Sequence, residues 1–151
     1  MIIIAPYAQK LRNGGENPKN YPLQYWKILL EILDKTGEQI VQVGMPGEYQ
    51  LVTNFVQGAP LGTLASLIEK CRTWISVDSF FQHMAWAQMK PGVVLFAQSD
   101  PLIFGHPENI NLLKSRAYLR PNQFLTWEQA EYNIEAYIDP KEVAKSVLYQ
   151  R

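Results

Sequence analysis

A chain of 151 residues, 47% hydrophobic and 19% charged, has the size and composition of one folded domain with a real core. Lys plus Arg number 14 and Asp plus Glu number 14, which excludes a general electrostatic pull toward nucleic acid or a membrane surface. The apolar runs fall far short of the ~20 residues that span a bilayer, and a single cysteine, Cys71, excludes an intrachain disulfide and fits a reducing, cytosolic setting.

The chain opens on IIIAPY (residues 2–7), a β-branched run that reads as a buried strand with no charged leader before it. A polar loop from Lys10 to Asn20 follows. PLQYWKILLEILDK then predicts a helix, with Pro22 in its first turn and Tyr25, Ile28, Leu29, Ile32 and Leu33 on one face. Gly37 ends it, and EQIVQVG (38–44) predicts the second strand. MPGEYQLV carries a Pro-Gly turn and predicts a short helix from Glu48, and TNFVQG a short strand. LGTLASLIEKC (61–71) predicts a helix with Leu64, Leu67, Ile68 and Cys71 inward; Cys71 reads as a packed thiol.

TWISVD (73–78) is the next strand and SFFQHMAWAQM (79–89) the next helix. GVVLFA (92–97) is a further strand, followed by a long polar loop, QSDPLIFGHPEN, and by INLL (110–113) as the last strand. TWEQAEYNIEAYI and DPKEVAKSVLYQ predict one or two closing helices, the second with Asp139 as N-cap and Pro140 at its first position. Continuous apolar strands alternating with helices specify a single α/β domain over residues 1–151. The expected architecture is a Rossmann-like, doubly wound parallel sheet of five or six strands, helices on both faces and the first strand near the centre.

Ligands of such sheets bind at the carboxyl ends of the strands. Those positions hold the loop with Lys10, Arg12 and Lys19; Gly44, Pro46, Gly47 and Glu48; Asp78 and Ser79; and Gln98, Ser99 and Asp100. Basic side chains, a hydroxyl, helix N–H groups and a carboxylate suit a phosphate ligand bearing a hydroxylated sugar. Each has a plainer reading that stays open. Asp78 and Ser79 can simply cap a helix, His83 can be a packed, hydrogen-bonded histidine, Glu48 can favour a helix dipole, and Lys19 can be a solvated loop charge. His83 and His106 lack a neighbouring Cys or carboxylate cluster at metal spacing, so neither a metal site nor a cofactor is expected. GxSxG, GxxxxGK[ST] and GxGxxG are absent from the sequence. The four tryptophans mostly fall at core-facing helix positions, with no basic stripe that suits nucleic acid.

In order along the chain, these segments resemble the C-terminal, donor-binding half of glycosyltransferase family 9, the heptosyltransferases of GT-B fold. KNYPLQYW (19–26) is similar to the family's Lys-x-aromatic-Pro-x-x-x-Trp segment, and QVGMPGE (42–48) to its Gly-to-Glu turn. ISVDSFFQHMAWA (75–87) resembles I-S-x-D-[ST]-G-x-x-H-[LM]-A, and LFAQSDPLIFG (95–105) the apolar strand before Gly-x-[ST]-[DN]-P. The resemblance implies a nucleoside-diphosphate sugar as ligand: Lys19 and the Asp78-Ser79 loop at the diphosphate, Glu48 on the ribose hydroxyls, and Gly44, His83, Ser99 and Asp100 in the same site. Phe80 stands where the family has glycine, and Ala97-Gln98 replaces a glycine-containing junction.

The family's acceptor and catalytic base belong to a facing N-terminal half, which the resemblance does not find in this chain. Three functions follow as expectations. One is a metal-independent, inverting glycosyltransferase completed by a homodimer or a separate N-terminal-half partner. The second is a module that binds or sequesters a nucleotide or nucleotide sugar. The third is an interaction protein that has lost the site.

Overall fold

A computed structural model describes residues 1–149. Ile2–Ala5 (β1) lies inside the sheet between Ile40–Gly44 (β2) and Thr73–Val77 (β4). Asn54–Gln57 (β3) borders β2, while Val93–Phe96 (β5) and Ile110–Leu113 (β6) extend the other side. Every pairing is parallel and the order is β3-β2-β1-β4-β5-β6. The doubly wound parallel sheet expected from the strand pattern is therefore present, with six strands.

Alternation along the strands divides the core into two layers. Ile2, Ile4, Ile75 and Val77 face Leu23–Asp34 (α1) and Pro140–Leu148 (α5), whose Trp26, Leu29, Leu33, Val143 and Val147 are buried with them. Ile3, Ala5, Val41, Val43 and Trp74 face Leu61–Lys70 (α2) and Phe80–Ala87 (α3), through Ile68, Phe81 and Ala85. Both faces of the sheet are thus covered, which is why its strands read as uninterrupted apolar runs. Cys71 is packed in the second layer, and burial pushes its thiol up from the ordinary range. The buried stripe of α1 is rotated from the expected one: Trp26 is fully buried and Ile28 exposed.

Three local expectations are corrected. No helix starts at Glu48; Gly47 turns with φ +89° and the chain runs on irregularly to β3. The long loop after β5 contains a one-turn helix, Pro101–Phe104 (α4), capped by Asp100, whose carboxylate accepts the Leu102 N–H at 2.9 Å.

The stretch from Trp127 to Ile138 is not a helix. It holds two 3-10 turns, Trp127–Gln129 and Ile134–Ala136, parted by extended residues. Asn133 caps the second turn, and tertiary bonds hold the intervening backbone away from helix. The Tyr132 hydroxyl donates to Asn20 O at 3.1 Å, and the Tyr137 hydroxyl to Pro18 O. Asp139 caps α5 as expected, accepting from Lys141 N at 2.8 Å with Pro140 at the first helical position. Gln150, expected in this helix, lies outside the described residues.

Candidate functional site

The strand order reverses at β1, since the chain winds outward through β2 and β3 and then crosses to β4. A crevice at the carboxyl ends of β1 and β4 is the geometric consequence. It is present as an open cleft of about 880 Å³. Lys19, Gly44, Glu48, Asp78, Ser79 and His83 all line it, although they come from three separate segments. Ser99 and Asp100 do not line it.

Lys19 ends the β1–α1 loop. The Asn17 side chain accepts its backbone N–H at 2.9 Å, and its Nζ lies 3.4 Å from Asp78 Oδ2 and 5.0 Å from the centre of the Trp127 ring. Asp78 is buried and its other oxygen accepts from Gln82 Nε2 at 2.7 Å. Gln82, itself wholly buried on α3, also donates to Phe104 O at 3.3 Å. Asp78 therefore holds Lys19 at the cleft and is fixed from behind.

Asp78 does not cap α3. Ser79 occupies the N-cap position in extended backbone, and its hydroxyl makes no capping bond. The first turn of α3 thus reaches the cleft without a side-chain cap, and a helix N-terminus in that state favours an anion. Phe80 follows in the first turn and lines the cleft, 64% exposed. Its φ is not positive, so this position demands no glycine for its backbone.

Glu48 folds back over the end of β2, where Oε1 accepts the Met45 N–H. A Cβ built on Gly44 would stand 3.0 Å from Oε1 and 3.1 Å from Oε2, which gives Gly44 a steric reason. Glu48 Oε2 is buried without a hydrogen-bond partner. Burial pushes the Glu48 carboxyl above the ordinary range, opposed by the Met45 N–H and by the charge of Lys10. A buried acceptor without a donor is costly unless something else supplies one.

His83 projects from the first turn of α3, and its Nδ1 lies 2.8 Å from His106 Nε2. Burial holds its pKa below the ordinary imidazole range. His106 adds to the lowering, Asp78 opposes it and Lys19 adds again. Among the described residues no group of three or more His, Cys, Asp or Glu is arranged to hold a metal ion. Nor is any described helix long and apolar enough to cross a membrane.

Ser99 and Asp100 are buried beneath the segment that follows β6. Asp100 takes both guanidinium nitrogens of Arg116, at 3.0 and 2.8 Å, and its N–H donates to Gln123 Oε1 at 2.8 Å. That segment brings in a residue sequence reasoning missed, Trp127, which lines the cleft beside Thr126 and Glu128. Glu128 accepts the Arg12 N–H at 3.0 Å, closing the far end of the chain onto the β1–α1 loop. Of the other tryptophans, Trp26 and Trp74 are fully buried, but Trp86 is exposed. No local pattern in TWEQ distinguishes a cleft tryptophan from a helix-face one.

Residues 1–118 match the family model described as Glycosyltransferase family 9 (heptosyltransferase). The chain is 26% identical over 115 residues to lipopolysaccharide heptosyltransferase 1 of Salmonella typhimurium, an alignment covering 69% of this chain and 36% of that one. Among solved structures it is similar to the ADP-heptose LPS heptosyltransferase II of E. coli, with a TM-score of 0.70 and 20% identity. That match covers 95% of this chain and 44% of the other. A heptosyltransferase of E. coli solved with ADP aligns with a TM-score of 0.67 and 13% identity, over 95% of this chain and 42% of the other. The chain spans less than half the length of each of these relatives. With a family model matched over most of its length and the same sheet architecture, the chain belongs to glycosyltransferase family 9.

Proposed function

We propose that the cleft binds a nucleoside-diphosphate sugar as a glycosyl donor. The observation that carries the reading is the convergence of Lys19, Glu48 and the uncapped start of α3 on one cleft at the switch point. The diphosphate lies against Lys19 Nζ, the Ser79 hydroxyl and the first N–H groups of α3, and His83 adds a contact. The Glu48 carboxylate, with Oε2 lacking a donor, accepts the hydroxyls of the nucleotide's ribose; Gly44 leaves room for it. Asp78 positions Lys19, while Asp100 braces the segment that carries Trp127 through Arg116 and Gln123, with Ser99 buried beside it.

These groups suit the departure of a nucleoside diphosphate without a metal, because a lysine and aligned N–H dipoles stabilise the charge that develops on it. They hold the donor half of the reaction. The acceptor and the base that deprotonates it come from outside this cleft, on a facing half. One E. coli relative is an ADP-heptose heptosyltransferase and the other was solved with ADP, so adenine nucleotides are the first series to test.

Calorimetric titration with ADP-, UDP-, GDP- and CDP-linked sugars tests the reading. One series binds wild type with submillimolar affinity, and Glu48→Gln weakens that binding. No heat and no thermal stabilisation with any series at millimolar ligand overturns it. Sugar release or transfer by the bound donor then separates a transferase from a module that only binds.

A further inference from the structure

Behind His83, on the side away from the cleft lining, three side chains form a supported stack. His106 places Nε2 2.8 Å from His83 Nδ1. Its ring lies flat against the Trp86 indole, with centroids 4.5 Å apart and planes at 10°. Trp86 Nε1 donates to Glu108 Oε2 at 3.2 Å. The backbone of His106 is fixed as well, since its carbonyl accepts from Asn109 N at 3.0 Å and Asn111 Nδ2 at 2.9 Å. None of His106, Trp86 and Glu108 lines the cleft, whereas His83 does. His106 is half-buried, and its ring is stacked, braced and aimed at another ring nitrogen.

Two imidazole nitrogens at this distance share one hydrogen, so one ring donates and the other accepts. With Nδ1 engaged, Nε2 is the nitrogen His83 has left for a ligand. We infer that His106 is a positioning residue for the donor site: it accepts the His83 Nδ1–H, so that His83 takes up a proton and donates Nε2–H to an anionic ligand oxygen. The inference rests on the donor-binding reading of the cleft. The proton comes from solvent and binds His83 Nε2; His106 stays neutral, and no other bond changes. The remaining charges facing His83 are Asp78 and Lys19, paired with each other at 3.4 Å. Glu108 stands beyond Trp86, at the far end of the stack. A bound anion adds the counter-charge that the free cleft does not offer to a second cation beside Lys19.

Two variants test this. His106→Phe keeps a flat ring on Trp86 but removes the acceptor, and His106→Gln restores an acceptor at the reach of Nε2. In ligand-free wild type, long-range proton–nitrogen spectra of the ring nitrogens show neutral His83 protonated on Nδ1. In His106→Phe the proton moves to Nε2. A wild-type His83 protonated on Nε2, or the same tautomer in both proteins, overturns the assignment whether or not nucleotide binds. With ADP-glucose, whose diphosphate diester carries no proton near neutral pH, wild type takes up a proton on binding. Calorimetry in two buffers of different ionisation enthalpy reads that uptake.

His106→Phe lowers the affinity about tenfold, the scale of one hydrogen bond to a charged group, and abolishes the uptake. His106→Gln retains most of the affinity. Wild-type binding that His106→Phe leaves unchanged, or that both variants weaken alike, defeats the positioning role and leaves the donor reading intact. Failure of wild type to bind defeats the donor reading, and the anion-linked half of this inference with it.

Discussion

Lys19 Nζ stands 3.4 Å from Asp78 Oδ2, and that oxygen has no hydrogen-bond partner in the fold. The β1–α1 loop and the end of β4 are thus joined by one ion pair at the mouth of the cleft. Lys19 is not a solvated loop charge: it is the counter-ion of a buried carboxylate.

Lys19→Ala therefore acts twice. It weakens nucleotide binding, and it costs about 1–3 kcal/mol of stability because Asp78 loses its counter-charge. In the double variant Lys19→Ala/Asp78→Asn, the neutral amide still accepts from Gln82 and needs no cation. Urea denaturation will show the double variant less destabilised than the sum of the singles, while binding is not restored. Additive losses contradict the pairing.

Gly44→Ala places a methyl group 3.0 Å from Glu48 Oε1. The carboxylate must swing off the Met45 N–H, at a cost of about 1 kcal/mol in stability. Affinity for the nucleotide sugar falls about tenfold, since Glu48 no longer faces the ribose. Gly44→Ala in a Glu48→Gln background adds little further loss of binding, which calorimetry on all three proteins measures.

Acid sensitivity follows from Asp100. The bidentate bond from Arg116 holds its carboxyl below the ordinary range, with the Leu102 N–H adding to the effect against burial. A carboxyl depressed in the folded state lets the unfolded chain bind protons first as pH falls. Its contribution is present above the unfolded value of about 3.9 and is lost as pH falls from there through the folded pKa. Asp100→Asn keeps the α4 cap and removes the charge. Stability measured at pH 6 will separate wild type from this variant, and the gap will close toward pH 3.

Arg120 shapes the wall that carries Trp127. Its guanidinium lies 3.5 Å from the centre of the Trp127 ring and donates to the carbonyls of Gln123, Leu125 and Thr126. A lysine cannot make that fork of bonds while stacking on the ring. Arg120→Lys will speed hydrogen exchange across residues 123–127 about tenfold and lower nucleotide affinity, with global stability little changed.

The parallel sheet with β1 inside it was legible because most strands are short apolar runs parted by helices; the β2–β3 crossover, which carries no helix, was the exception. The cleft residues from Lys19 to His83 were legible because they follow the carboxyl ends of β1, β2 and β4, where ligands of such sheets bind. Trp127 was not. Its place depends on Tyr132 and Tyr137 bonding to the carbonyls of Asn20 and Pro18, contacts between opposite ends of the chain that no local window contains. The same bonds defeated the helical spacing of residues 127–138. Ser99 and Asp100 followed a strand end as the others did, yet both are buried away from the cleft, and Asp100 is held by a guanidinium and a glutamine. Phe80 stands at a glycine position of the family, where it either narrows the site or turns away; its backbone is helical and its side chain lines the cleft.

The most direct test of the donor site is a crystal structure of the protein with ADP-glucose. The account predicts the diphosphate within hydrogen-bond reach of Lys19 Nζ and the first N–H groups of α3, with the ribose hydroxyls on Glu48. A nucleotide bound away from the carboxyl ends of β1 and β4, or one whose phosphates leave Lys19 paired only with Asp78, contradicts it.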